Sequence, residues 1–282
     1  EKNGYTHALQ MAGKLYIILK ALNVLSEEFL HKTCTEMRII MKYKYTIDTH
    51  THTLVSGHAY NTIDEMAAYA FQTGVTHLAI TDHAPKMPGS AGILYFSNMK
   101  IIPRVKNGVR IYMGCEANIM DYEGSIDLKE YGLKGCDVVI ASLHIPCIRP
   151  GDIGQNTKAL IKAMDNPYVN IIGHPDDSRY PVDYEQLVMA AKEKHVLLEV
   201  NNTSLNPDGP RQGAYENDIK MLKLCKQLGV CISIGSDAHI KESICDFDRV
   251  YKVLEETDFP EELIVNSDYR LYEEYIGRRN IK

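Results

Sequence analysis

Seven of the eleven histidines in this 282-residue chain lie at the ends of apolar, strand-like runs, and acidic residues lie there with them. The run 43–47 leads into Asp48-Thr49-His50-Thr51-His52, with His58 soon after; 76–80 leads into Thr81-Asp82-His83. The run 109–113 leads to Glu116, 137–141 to His144, 169–172 to His174, and 230–234 to Asp237 and His239. Neutral imidazoles and carboxylates together are a ligand set for Zn, Mn or Fe. His50 and His52 stand two apart, a spacing that puts both rings on one face of a strand, and Asp237 and His239 repeat it. A carboxylate such as Glu116 has two oxygens and can bridge two cations, which in two-metal sites lie ~3.5–4 Å apart and clamp both oxygens of a displacement. The chemistry this pattern points to is multi-metal hydrolysis. His7, His31, His77 and His195 fall outside the pattern and read as ordinary histidines.

Such a site needs strands whose C-terminal ends open onto one face. Seven strands are predicted, near 43–48, 76–80, 109–114, 137–141, 169–172, 196–200 and 230–234. Helices alternate with them, an order that argues a parallel sheet. Thr62 as N-cap with Glu65 three residues on, and Gly74 as a stop, frame the first helix. Further helices are predicted over 157–164, 183–194, 215–228, 245–257 and 261–264. The expected fold is therefore α/β, a barrel with one unit fewer than the eightfold form, its active site at the C-terminal strand ends. The loop 87–92, after His83, could cover that site. Residues 1–41 carry none of the strand-end ligands and read as an N-terminal appendage, helical or disordered; 42–282 reads as the barrel domain.

The formal net charge of −6, with no basic block, speaks against nucleic acid as a partner. No apolar stretch reaches the ~20 residues a membrane span needs. Seven cysteines without a C-x-x-C pair fit reduced, mostly buried thiols and a cytoplasmic protein. Asp48 and Asp82, each just before a ligand-type histidine, are expected to orient an imidazole.

The motifs Asp48-Thr49-His50-Thr51-His52, Thr81-Asp82-His83, Gly114-Cys115-Glu116-Ala117-Asn118, Ser142-Leu143-His144, Gly173-His174-Pro175 and Gly235-Ser236-Asp237-Ala238-His239 resemble the PHP (polymerase and histidinol phosphatase) superfamily. The closer likeness, through Gly57-His58-Ala59-Tyr60, 99–104 and 199–204, is to its YcdX-like phosphatase subgroup. The resemblance spans about 43–275. It implies a distorted (β/α)7 barrel with three metal ions per chain, usually Zn2+, though Mn2+ or Fe suits the same ligands. His50, His52, Glu116 and Asp237 would hold the first ion. Glu116 would bridge to a second, held with His144 and His174, and His58, His83 and His239 would hold the third. A metal-bound hydroxide, formed because zinc lowers the pKa of its water toward ~7, would attack phosphorus with no protein nucleophile. Arg104 and Arg179 are candidate substrate contacts.

The function expected is hydrolysis of a phosphoric monoester on a small phosphorylated molecule. The alternatives are a phosphodiesterase or exonuclease of the same family, C–N hydrolysis in an amidohydrolase-like barrel, and a non-catalytic metal-binding regulatory module. The sequence is compatible with a homo-oligomer.

Overall fold

The structure is a computed structural model that describes residues 44–277. The expected appendage, 1–41, lies outside the described residues, and the barrel belongs to the unit that begins at Tyr45. Its strands are β1 (Ile47–Thr51), β2 (His77–Ile80), β3 (Val105–Lys106), β4 (Val109–Asn118), β5 (Val138–Ser142), β6 (Ile171–Ile172), β7 (Leu197–Asn201) and β8 (Ile232–Gly235). Seven of them pair in parallel in the order β1-β2-β4-β5-β6-β7-β8, and β3 is an antiparallel addition on β4. The sheet curls until β1 faces β8. At that seam the backbone ladder is sparse, with Asp237 N–H donating to His50 O (2.9 Å) and His52 N–H to Ala238 O (2.8 Å). The Asn266 amide fills the gap below, donating to Ile47 O and Ile234 O and accepting from Ile234 N–H. This is the barrel one unit short of eightfold that the alternation of strand and helix predicts, distorted as the resemblance implies.

The helices are α1 (Ile63–Thr73), α2 (Ile93–Ser97), α3 (Glu130–Leu133), α4 (Ile153–Ala163), α5 (Tyr184–Lys194), α6 (Ala214–Leu228), α7 (Asp248–Thr257) and α8 (Tyr269–Ile276). The Thr62–Glu65 capping box starts α1, and Gly74, at φ 82°, ends it as expected. The fourth helix starts earlier than the predicted 157, because Asp152 and Gln155 form a second capping box. The predicted helix 261–264 is a single 3-10 turn, Glu261–Leu263. The first strand begins at Ile47, and the described residues before it, 44–46, are outside it. Its polar residues are satisfied inside the barrel, where Thr49 Oγ1 donates to Ile234 O (2.9 Å), so they belong to the strand that their polarity hid.

Side-chain alternation divides the barrel interior into layers. Ala79, Tyr112, Ile140 and Leu197 belong to one buried cluster, which Tyr272, Tyr275 and Ile276 of α8 close from below. Moving up each strand in steps of two from those residues reaches His83, Glu116, His144 and Glu199. The same inward faces thus carry apolar packing at one end and imidazole and carboxylate side chains at the other. No helix among the described residues is long and apolar enough to cross a membrane.

Candidate metal centre

His50 and His52 face each other across the top of β1, their Nε2 atoms 3.0 Å apart. Strict alternation from Ile47 would turn His50 outward; an irregular register between Asp48 and Thr51 brings it in. Each ring is aimed by a partner on its other nitrogen. His50 Nδ1 lies 2.7 Å from Glu199 Oε1, and His52 Nδ1 lies 3.0 Å from Ser56 Oγ, whose own proton goes to Asp82 Oδ1 (2.7 Å). Both Nδ1 atoms therefore donate, and both Nε2 lone pairs point into one spot. Glu116 Oε2 reaches 3.5 Å from His50 Nε2 and 3.6 Å from His52 Nε2. Asp237 Oδ1 lies 3.1 Å from His52 Nε2.

The other oxygen of Glu116 serves a second group. Its Oε1 is 2.8 Å from His174 Nε2 and 3.1 Å from His144 Nε2, while its Oε2 is also 2.7 Å from His83 Nδ1. Asn118 fixes the His144 ring: its amide nitrogen donates to Asp127, leaving Oδ1 to accept from Nδ1 at 2.7 Å. His174 sits at φ 28° and Asp237 at φ 57°, backbone turns that aim their side chains at the same place. The third group lies nearer the surface. His58 Nε2 and His239 Nε2 are 3.0 Å apart, and their Nδ1 atoms donate to Ser56 O (3.1 Å) and Asp237 O (2.9 Å). All nine predicted ligand positions are brought together. His52 belongs to two of the groupings, standing with His50 and Glu116 and also with His83 and His239.

The buried carboxylates and imidazoles shift one another in opposite directions. Burial pushes the His50 ring's pKa down, but the Glu199, Glu116 and Asp237 carboxylates outweigh it and raise it well above the usual value. His52 shifts the other way, lowered by burial and by the neighbouring His83. Burial also takes His144 down to about 4 despite Glu116. Burial alone would raise Glu116, yet His144, His83 and His50 hold it well below the carboxylate range. Meanwhile His83 Nδ1, Glu116 Oε2, His144 Nε2 and Asp237 Oδ1 are buried and make no hydrogen bond. His83 Nδ1 and Glu116 Oε2 are close enough for one but misaligned. Buried polar atoms are rarely left so, and four ligand-type atoms orphaned around one point fit cations between them. The donor set is the one zinc takes.

Two expectations for the surrounding residues change. Asp48 touches no imidazole; it accepts from the backbone N–H groups of His50, Ser236 and Cys245, and so ties β1 to the loop after β8. Asp82 is linked to the His52 ring through Ser56 Oγ. Arg104 lies at the opposite end of the barrel. It pairs with Asp137 (Nε to Oδ2, 2.6 Å), the residue before β5, and caps Met99 O and Ile102 O. That position is away from the histidine cluster that the expectation placed it beside. Arg179 follows β6 on the side of the site, but its guanidinium is engaged by Asp177 (2.6 Å). Of the off-pattern histidines, His77 stacks on Tyr269 and His195 on Tyr275.

Glu199, Asn118 and Arg211 also shape the site, and strand-end patterning does not single them out. Glu199 lies within an apolar run, and its inward phase with Leu197 is the signal that could have found it. Arg211 comes from the loop before α6, where no periodicity marks it. It donates to Asp237 Oδ2 from both Nη atoms (3.1 and 3.2 Å), leaving Oδ1 directed at the histidines.

Known proteins of related sequence carry the same region. The probable phosphatase of Clostridium novyi is 48% identical over 225 residues, covering 80% of this chain and 91% of that one. A probable phosphatase of Caldicellulosiruptor saccharolyticus is 49% identical over 230 residues, covering 82% and 95%. Among solved structures, the histidinol phosphate phosphatase of Lactococcus lactis, crystallised with zinc, L-histidinol and phosphate, superposes with TM-score 0.55 at 18% identity. That likeness covers 76% of this chain and 94% of the other, and it is one of fold. The PHP domain family model matches residues 48–256, from the first ligand-bearing strand to α7. The family model matches most of the chain and the relatives cover the same region, so the chain belongs to the PHP domain family.

Proposed function

We propose that this protein is a metal-dependent phosphomonoesterase acting on a small phosphorylated molecule, with three ions, zinc by preference, in the histidine cluster. The observation that carries the reading is the convergence of nine ligand-type side chains with buried, unpartnered donor atoms among them. The phosphatase names of close relatives and the zinc and phosphate in the Lactococcus structure support it. His50, His52, Glu116 and Asp237 would hold one ion, Glu116 with His144 and His174 a second, and His58, His83 and His239 a third. Bound there, zinc supplies Lewis acidity toward phosphate oxygens and a hydroxide from water near neutral pH.

The chain's own residues set the geometry for this. Glu199 holds the His50 ring and also accepts from His174 N–H (2.9 Å), so one buried carboxylate aligns ligands of two strands. Asp82, through Ser56, fixes His52. Arg211 occupies one oxygen of Asp237 and so limits that side chain to a single inward donor. The imidazoles add no negative charge, so the loaded site attracts an anion, and the exposed His58 marks the side from which substrate arrives.

The test compares p-nitrophenyl phosphate with bis(p-nitrophenyl) phosphate on the full chain, before and after chelation and zinc return. The proposal expects monoester turnover that chelation removes and zinc restores. Preference for the diester, or turnover that survives chelation, overturns it.

A further inference from the structure

The three ligand groups differ in burial and in charge. His50, His52, Glu116 and His174 are almost fully shielded; in the third group His83 is shielded too, but His58 is exposed and the His239 side chain retains 27% of its surface. The first group contributes the carboxylates of Glu116 and Asp237, and the second has Glu116 Oε1 at its centre. His58, His83 and His239 bring only imidazole nitrogens and no carboxylate. The carboxylate oxygen nearest to them, Glu116 Oε2, is shared with His50 and His52. Asp237 offers His239 its backbone carbonyl, at the ring's Nδ1, while one of its carboxylate oxygens is engaged by Arg211.

A dication held by three imidazoles alone keeps its whole charge and lacks the fourth ligand that a tetrahedral zinc site takes. The open side of this group faces solvent. An anionic oxygen arriving from that side would complete the coordination and reduce the charge at once.

Resting on the three-ion reading above, we infer that the His58–His83–His239 site binds its ion weakly in the free protein and tightly with a phosphate group bound, so that this ion and the phosphate dianion bind cooperatively. The other two sites, buried and carrying carboxylate, hold their ions with or without phosphate. Linkage makes the effect reciprocal: whatever factor phosphate adds to the affinity of this ion, the ion adds to that of phosphate. Tyr60 N–H donates to His239 O (3.0 Å), which keeps the His58 loop and His239 in register as one unit.

The experiment equilibrates the full chain across a series of chelator-buffered free zinc concentrations, with and without inorganic phosphate, and counts zinc per chain by mass spectrometry. Two ions are expected to bind independently of phosphate. A third should bind roughly tenfold to a hundredfold more tightly in its presence, the range of ordinary coupling. His58→Ala should keep the first two and lose the phosphate-dependent third. Calorimetry should show phosphate affinity falling by the same factor in that variant. Three ions bound alike with no response to phosphate, or a phosphate response intact in His58→Ala, overturns the inference. If that uniform binding comes with full monoesterase activity, only this inference fails; a wild type that takes up no zinc removes the proposed function with it.

Discussion

Seven imidazoles converge at one end of the barrel, and what makes them usable is what binds their far nitrogens. Glu199, Ser56, Asn118 and two backbone carbonyls each accept from an Nδ1–H and leave Nε2 free. Such outer partners are typically worth 10–100-fold in metal affinity. Glu199→Gln is therefore expected to weaken zinc binding by about that factor with the fold intact, read by competition against a chromophoric chelator. Unchanged affinity would mean that His50 needs no anionic partner. The ligand-type residues themselves are legible because histidines repeated at strand ends are chemically conspicuous. Of their aligners, Asp82 stands out beside His83, but Glu199 looks like an interruption in an apolar run, and Arg211 meets Asp237 only through the fold.

At the scale of elements, the inward phase of each strand links core to chemistry. Apolar runs ending in polar residues revealed the seven parallel strands, and Thr62 and Gly74 revealed the ends of α1. Short pieces were missed for physical reasons. β3 has two residues, too few for a periodicity, although Asn107-Gly108, at φ 50° and 84°, is the turn signal of its hairpin. The helix α8 was hidden because its tyrosines plug the barrel from outside the strand–helix repeat. Close strand packing yields its own prediction at Gly235 on β8. A Cβ there would lie 2.1 Å from Glu199 Oε1 and 2.7 Å from His50 Cβ. Gly235→Ala should displace the carboxylate from the ring and lower zinc content, as Glu199→Gln does, and also lower the melting temperature. A variant with wild-type zinc content and stability would show that the strands do not confine this pair.

For the whole molecule, the site is where β1 and β8 meet, and few ladder bonds hold that seam. Ligands from both edges, His50 and His52 on one and Asp237 and His239 on the other, would be tied together by shared ions. Chelation should therefore destabilise the barrel as well as silence it. An ion at 100-fold its dissociation constant adds about 2.7 kcal/mol, and a domain of this size gains roughly 2–4 °C per kcal/mol. The melting temperature should fall by about 5 °C or more on chelation, measured by calorimetry at fixed protein concentration. An unchanged melt would show that the seam closes without cations.

The most direct measurement counts zinc per chain by mass spectrometry, in inorganic phosphate, for the wild type and Glu116→Ala, alongside monoester turnover. Glu116 touches both buried groups, so its loss should take the count from three to one or none and abolish turnover. A wild type that binds no zinc after reconstitution, or a variant that keeps three ions and full turnover, would contradict the account.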